Sequence, residues 1–440
     1  MAWRMMKASS TLLGLIGSVF ELDIKRAKSI GSHLIDQLTR ARHRGAFELA
    51  AEAFRSLCIQ TRKGETTKHL LDEWCQECLA IITDKTKIDA LCQTRRSAGL
   101  PHLFAALACA DAATTREKAV LRKLVNVFMP IAAQSQSPDD SCHARNILRA
   151  IFRESAIGEE TLLWAEETLI FCINGFADSN WSLRNTSSML YSTLCMRMFG
   201  VKKSSGLEEE ERMSSNEFFN RFPKLEEHLL SIVESSAANK LKDIDPRLLP
   251  SLLIIQRLIP TGTSRNEHRF LAALLKLTQS HVWKCRLSSA RSFYALSSDL
   301  NIVEHVFDEL QKTSSSNAIH GILLILDEFS LTRPSLCGPK LFDYLIKQFD
   351  SYCSVNQALA IKLISTASQH IELDLNSLMN KIDRLFKVER GAQIVDIYLY
   401  EQAACIFLVK NEKQRIFNTL ANSKENAARA LLIEMDNDRK

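Results

Sequence analysis

Amphipathic helical stretches follow one another along nearly the whole chain, and that recurrence leaves few architectures open. Apolar residues return at three- and four-residue spacing in AFELAAEAFRSLC (46–58), PHLFAALACADAA (101–113), ARNILRAIFRES (144–155), LLPSLLIIQRLI (248–259) and AIHGILLILDEF (318–329). This is the period of a helix that buries one face. Breaks rich in Gly, Pro, Ser and Asp punctuate the pattern every 15 to 25 residues, as in QSQSPDDS (134–141), GFADSN (175–180), LIPTGTS (258–264) and RPSLCGP (333–339). Sustained two-residue alternation is missing, and 14 glycines and 9 prolines in 440 residues are few for the tight turns of a sheet protein. The sequence therefore predicts an all-α chain of helical hairpins stacked in a solenoid.

An internal echo strengthens that expectation. NWSLRNTSSMLYSTL (180–194) aligns without gaps on VWKCRLSSARSFYAL (282–296), pairing Trp181 with Trp283, Arg184 with Arg286, Ser187 with Ser289, Tyr191 with Phe293 and Leu194 with Leu296. A tryptophan, an arginine three residues on, small residues and then a hydrophobic stripe resemble the second half of a HEAT or armadillo repeat, where small side chains let paired helices approach closely. Such repeats run about 40 to 47 residues, so the length would hold about ten.

Charge divides the chain. Residues 1–205 carry 27 Lys and Arg against 21 Asp and Glu, whereas residues 206–440 carry 29 against 30. The basic surplus belongs to the N-terminal half, which permits an acidic partner such as RNA. GVKKSSGLEEEERMSSNEFFNRFPKL (200–225) joins a basic pair, a Ser-Gly joint and a four-Glu run. It predicts a basic helical-repeat region over 1–205, an acidic mobile loop over 206–217 and further helical repeats over 218–440. The opening MAWRMMKASSTLLGLIGSVF is read as a first helix and not a targeting signal, because Gly14 and Gly17 interrupt its apolar run and no small-x-small cleavage site follows. No apolar stretch reaches the ~20 residues a membrane-spanning helix needs. The 12 cysteines lack any framework spacing and read as reduced core thiols of a cytoplasmic protein.

Signatures of catalysis are not found. The glycines lie too far apart for a phosphate or dinucleotide loop, and G-x-S-x-G and H-E-x-x-H do not occur. Cys75 and Cys78 form one C-x-x-C within an amphipathic helix, without the second ligand pair that a structural zinc needs. The expectation is no enzyme, no metal and no cofactor.

Two basic constellations remain. In CQTRRSAGLP (92–101), Gly99 is placed to be the left-handed residue after a helix, and Pro101 suits the first turn of the next. Arg95 and Arg96 then either complement the helix dipole in the last turn or, beside Ser97, form a fork for phosphate oxygens. Arg145, Arg149 and Arg153 lie at i, i+4 and i+8, sharing one helix face opposite Ile147, Leu148 and Ile151. That row is either a solvated charged face or, with about 6 Å between successive members, a ladder matched to neighbouring phosphates. Arg40, Arg42, Arg44, Arg184, Lys202 and Lys203 add to the same half.

Several stretches together carry a resemblance: ARHRGAFELA (41–50), RRSAGLP (95–101), HARNILRAIFRES (143–155), FADSNWSLRNTSSMLYSTLCMRMFGVKK (176–203), FFNRFPKL (218–225) and NAIHGILLIL (317–326). In ordered succession over about residues 10–330, the chain resembles the thyroid adenoma-associated protein (THADA) family, whose members are much longer helical-repeat proteins. The likeness covers their central and following region, with MAWRMMK outside it. The resemblance implies a non-catalytic scaffold that binds tRNA and an FtsJ-type methyltransferase, directing ribose 2′-O-methylation to the 5′-most nucleotide of the anticodon loop. It also implies that the family's Arg-Arg-Ser-Ala-Gly motif, here Arg95, Arg96, Ser97, Ala98 and Gly99, serves that activity. The other reading of the same residues is a helical-repeat adaptor for protein partners, without RNA.

Overall fold

The computed structural model describes residues 2–387 apart from 41–42, 84–98, 135–136, 200–212, 240–243, 262–265, 298, 300, 333–337 and 369–374. The chain divides into two compact units, Met1–Glu211 and Arg212–Lys440. Both are all-α helical-repeat stacks, as the periodicity predicts.

The first unit comprises α1 (Ala2–Val19), α2 (Ile24–Arg40), α3 (Arg44–Lys63), α4 (Leu70–Thr83), α5 (Leu100–Thr114), α6 (Ala119–Gln134), α7 (Pro138–Arg153), α8 (Ala165–Gly175) and α9 (Trp181–Phe199). Short helical turns over 155–164 join α7 to α8. Helices α1, α3, α5, α7 and α9 pack in succession as one layer, while α2 and α4 lie on α3, α6 on α5 and α7, and α8 on α9. Each hairpin thus buries its apolar face against its neighbours, the arrangement of a solenoid. Phe54, Phe104, Phe128 and Phe152 are fully buried between the layers. Cys75 and Cys78, the C-x-x-C pair of α4, are buried thiols, and desolvation pushes Cys75 up to about 11.

Two local expectations are corrected here. The QSQSPDDS break is largely a helix start: Ser137 Oγ accepts from Asp140 N at 3.4 Å, Pro138 occupies the first turn, and Asp139 and Asp140 face the helix N-terminus. Cap, proline and acids are the residues a helix entry favours, and they resemble a loop when read by composition. Gly99 is not left-handed; its φ of −81° and ψ of −23° are helical. Glycine is required there for room, because a Cβ would sit 2.3 Å from the Leu38 carbonyl oxygen of α2.

The second unit comprises α10 (Ser215–Arg221), α11 (Pro223–Ala238), α12 (Leu248–Ile255), α13 (Glu267–Leu277), α14 (Trp283–Leu296), α15 (Ile302–Lys312), α16 (Ser316–Thr332), α17 (Pro339–Gln348), α18 (Ser354–Ala367) and α19 (Asn376–Lys387). A two-residue parallel pair, β1 (Met213–Ser214) and β2 (Leu258–Ile259), precedes α10 and follows α12. Of the segment expected as loop, residues 213–217 form β1 and the start of α10, with Ser214 Oγ accepting from Glu217 N at 3.1 Å; residues 206–212 lie outside the described residues. Helices α12, α14, α16 and α18 form one layer, and α11, α13 and α15 pack on it.

Repeat length differs between the units. In the first, α5, α7 and α9 begin at residues 100, 138 and 181, close to the expected period. In the second, α12, α14, α16 and α18 begin at 248, 283, 316 and 354, steps that are shorter on average and lie near a repeat of about 34 residues. Side chains tie one step to the next: Ser292 Oγ donates to Leu252 O at 3.1 Å, Asn356 Nδ2 to Ser316 O at 3.1 Å, and Lys362 pairs with Asp327 at 2.7 Å. Among the described residues no helix is long and apolar enough to cross a membrane.

Candidate functional site

Of the motif residues, Arg95, Arg96, Ser97 and Ala98 lie outside the described residues, as do Lys202 and Lys203. Gly99 is buried against α2, where it fixes the start of α5. The basic residues that can be followed in detail are those of α7 and α9.

The three arginines of α7 share a row but not an environment. Arg145 is buried, 4% exposed. Its Nη1 donates to Ser187 Oγ at 2.6 Å and Leu183 O at 3.0 Å on α9, its Nε donates to Ala132 O at 3.0 Å on α6, and the Phe171 ring lies 5.9 Å from its Cζ. Pro130 lies within α6, two residues before Ala132, and the helix continues past it to Gln134. Burial draws the Arg145 guanidinium below its ordinary pKa, and no carboxylate of the described residues lies within ion-pair distance. The expectation of an open contact at Arg145 is thereby revised: the row begins beneath α9 and emerges only in the next two turns.

Arg149 and Arg153 are the emerging part. Arg149 is half-buried and Arg153 exposed. Arg149 Nε is buried without a hydrogen-bond partner, and both burial and the neighbouring Arg153 charge push its pKa down. Neither arginine has an ion pair among the described residues. A buried guanidinium donor left unmade costs about 1–3 kcal/mol, so this pair is an incomplete electrostatic arrangement that an anion would complete.

Arg184 serves its own loop. Its Nη1 donates to Asp178 O and Ser179 O, each at 2.8 Å, holding the turn between α8 and α9. Arg40 is exposed and pairs with Asp36 one turn earlier. Arg197 gives no signal in the sequence, yet it reaches from the end of α9 to the carbonyls of Phe152 and Arg153, both at 2.6 Å. Arg145 and Arg197 thus bracket the α7–α9 contact from opposite helices. Their partners lie 38 to 45 residues away in sequence, which makes α7 and α9 parallel elements one repeat apart. Glu154, next to Arg153, accepts from Arg55 Nη1 at 3.3 Å and so leaves the Arg149–Arg153 pair uncompensated.

This arrangement can grip an anion and hold helices at fixed spacing. Among the described residues no group of three His, Cys, Asp or Glu side chains is placed to hold a metal ion.

Comparison with known proteins adds a lineage. The family model described as "THADA/TRM732, DUF2428" matches residues 1–182, and the model "Trm732, C-terminal TPR repeats" matches residues 184–329. The second match includes the helix starts at 248, 283 and 316. The "tRNA (32-2'-O)-methyltransferase regulator THADA" of Mus musculus is 30% identical over 360 residues, covering 73% of this chain and 18% of that protein. The human protein of the same name is 30% identical over 356 residues, with the same coverage of each. The "tRNA (32-2'-O)-methyltransferase regulator trm732" of Schizosaccharomyces pombe is 28% identical over 356 residues, covering 74% of this chain and 23% of that protein. The chain therefore spans about a fifth of the length of the relatives it matches. No solved structure matches.

Proposed function

The chain belongs to the THADA/TRM732 family, and from that premise we propose that it is a non-catalytic regulatory scaffold for tRNA ribose 2′-O-methylation. In this reading it binds tRNA and an FtsJ-type methyltransferase in the cytoplasm, and directs modification to the 5′-most nucleotide of the anticodon loop. The partner enzyme holds the methyl donor and performs all bond chemistry. The repeat stack contributes geometry: a stiff array of helices grips the tRNA backbone and the enzyme together, converting a chance encounter of ribose hydroxyl and donor into an oriented one.

The observation that carries the RNA part is the Arg149–Arg153 pair, two cations one helical turn apart, lacking carboxylates and with one buried donor unsatisfied. Guanidinium groups so placed suit phosphate oxygens, which fix register without reading sequence. The Arg95–Gly99 motif is proposed as a second contact in the same complex. The relatives' names as regulators support the partner-enzyme part.

The test is co-purification with the FtsJ-type methyltransferase, followed by mapping of tRNA ribose methylation with and without this chain. The expected result is a stable complex and methylation at the anticodon-loop nucleotide only when the chain is present. A complex that forms without binding tRNA would favour the protein-adaptor reading, and no complex with either would reject the proposal.

A further inference from the structure

Helix α1 buries its small residues and exposes its large ones. Ser10, Gly14 and Gly17 are its buried positions. A Cβ at Gly14 would lie 2.9 Å from Ala53 Cα and one at Gly17 3.1 Å from Leu57 Cδ1, so α1 and α3 meet almost backbone to backbone. Met5, Leu12, Leu15 and Val19 point the other way, between 57% and 71% exposed, with Ala8 exposed among them. At about 100° per residue these five positions fall within an arc of about 80°, centred opposite Ser10.

The outer face of a helix in a water-soluble stack is ordinarily polar. Here the apolar positions are three, four, three and four residues apart, the a and d spacing of a seam between two helices. The charges at the ends of the seam say which second helix fits. Within α1 the charged residues are Arg4 and Lys7, near its start, while Glu21 and Asp23 follow directly after its end, and all four are exposed. A stripe with one basic and one acidic end complements itself when turned end over end, as an interface between identical copies about a two-fold axis requires. Setting Leu12 opposite Leu15 of a second copy brings Ala8 level with Val19 and Arg4 level with Asp23. A parallel pair would set like charges together at both ends, and an anionic lipid surface would attract Arg4 and Lys7 but repel Glu21 and Asp23.

We propose that the outer face of α1 is the surface through which two copies of this chain associate, as an antiparallel α1–α1 pair. The α7 arginines take no part in it, so it stands or falls apart from the RNA-binding reading. One helix pair buries less than the roughly 1,600 Å² of a standard interface, and the dimer is accordingly weak, forming at micromolar concentration.

The experiment is sedimentation equilibrium of the full chain over a range of concentrations, for wild type, Leu12→Gln, Leu15→Gln and the double variant Arg4→Glu/Lys7→Glu. Wild type is expected to pass from monomer to dimer, and each leucine variant to dimerise at least about tenfold more weakly. The charge variant, acidic at both ends, should also dimerise more weakly at low salt, and the difference should shrink as salt is raised. All four substitutions are at exposed positions, and circular dichroism checks that each variant folds. A wild type that stays monomeric would overturn the proposal, and one that stays monomeric yet binds anionic lipid vesicles through Leu12 would give the face to a membrane surface. A dimer indifferent to both leucines would place the interface elsewhere. A dimer lost with the leucines but unmoved by charge reversal would overturn the antiparallel arrangement.

Discussion

Arg184 and Arg286 stand at the same place in two helices of separate units and make the same bonds. Each donates Nη1 to the carbonyls six and five residues before it: Asp178 and Ser179 in the first unit, both at 2.8 Å, and Ser280 and His281 in the second, at 2.7 and 3.2 Å. The arginine of the W-x-x-R pattern is thus a loop clamp that closes the turn leading into its own helix. Trp181 and Trp283 are both exposed, at 66% and 51%, while Ser187 and Ser289 are fully buried.

The two clamps should differ in what they cost to remove. Arg286 is buried and also bonds His320 Nδ1 and Asn317 Oδ1, each at 3.1 Å, whereas Arg184 is half-buried and bonds only its loop carbonyls. Arg286→Ala strands several buried partners and is expected to destabilise by about 3 kcal/mol, against about 1 kcal/mol for Arg184→Ala, whose carbonyls turn to water. Denaturant melts of both variants decide it; equal losses would show that burial at position 286 is not what makes the clamp strong.

Arg145→Ala is expected to cost about 3 kcal/mol and Ser187→Ala about 1 kcal/mol, because the first strands three acceptors and the second removes one partner of a group that retains two others. Ser187 also receives the close approach of Gly175, where a Cβ would meet its Oγ at 2.2 Å. Gly175→Ala should therefore destabilise in the same direction. These losses should be insensitive to salt, since no ion pair is involved, and melts at low and high ionic strength test that.

How much of this is legible in the sequence follows from which signals are local. Periodicity carries the all-α fold and most helix positions, because a buried face must recur every three to four residues. The echo of Trp181 and Trp283 is visible because a repeated loop clamp needs the same residues at the same spacing. The helix start at Ser137 reads as a loop because cap residues and loop residues are the same chemical types. Gly99 suggests handedness when the constraint is the Leu38 carbonyl, a neighbour 61 residues away that no local pattern reveals. Arg145 reads as part of an open face because a row of three shows spacing and not what lies over its first member. Arg197 is invisible because its partners are carbonyls, which every residue supplies.

His320 makes the second unit sensitive to acid. Burial and the adjacent Arg286 charge hold its pKa at about 4, below the usual value of 6.5. Above pH 6.5 the ring is neutral in both folded and unfolded chains and contributes no pH dependence. As pH falls from 6.5 toward 4 the unfolded chain takes up a proton that the folded one does not, so stability is lost across that window, by up to about 1.4 kcal/mol per pH unit. His320→Asn offers a similarly placed acceptor without a titrating ring. The difference between wild type and variant stability should therefore shrink as pH is lowered from 7.5 to 5, and a constant difference would remove His320 as the cause.

Arg149 allows stability and function to be pulled apart. Its Nε is buried without a partner and its charge is opposed by Arg153, so the folded chain holds this guanidinium at a cost. Arg149→Met keeps an unbranched apolar stem while removing both the stranded donor and the repulsion. The variant is expected to be more stable than wild type by up to about 1 kcal/mol. Its RNA binding should nevertheless weaken, and the slope of log affinity against log salt should flatten by about 0.7 for each single-stranded phosphate that is no longer neutralised. Arg153→Ala, at an exposed position, should flatten the slope with little change in stability. Opposite signs in the two measurements on Arg149→Met would identify a polyanion as the partner that this guanidinium serves. A variant that is both more stable and unchanged in RNA affinity would reduce the row to a solvated face.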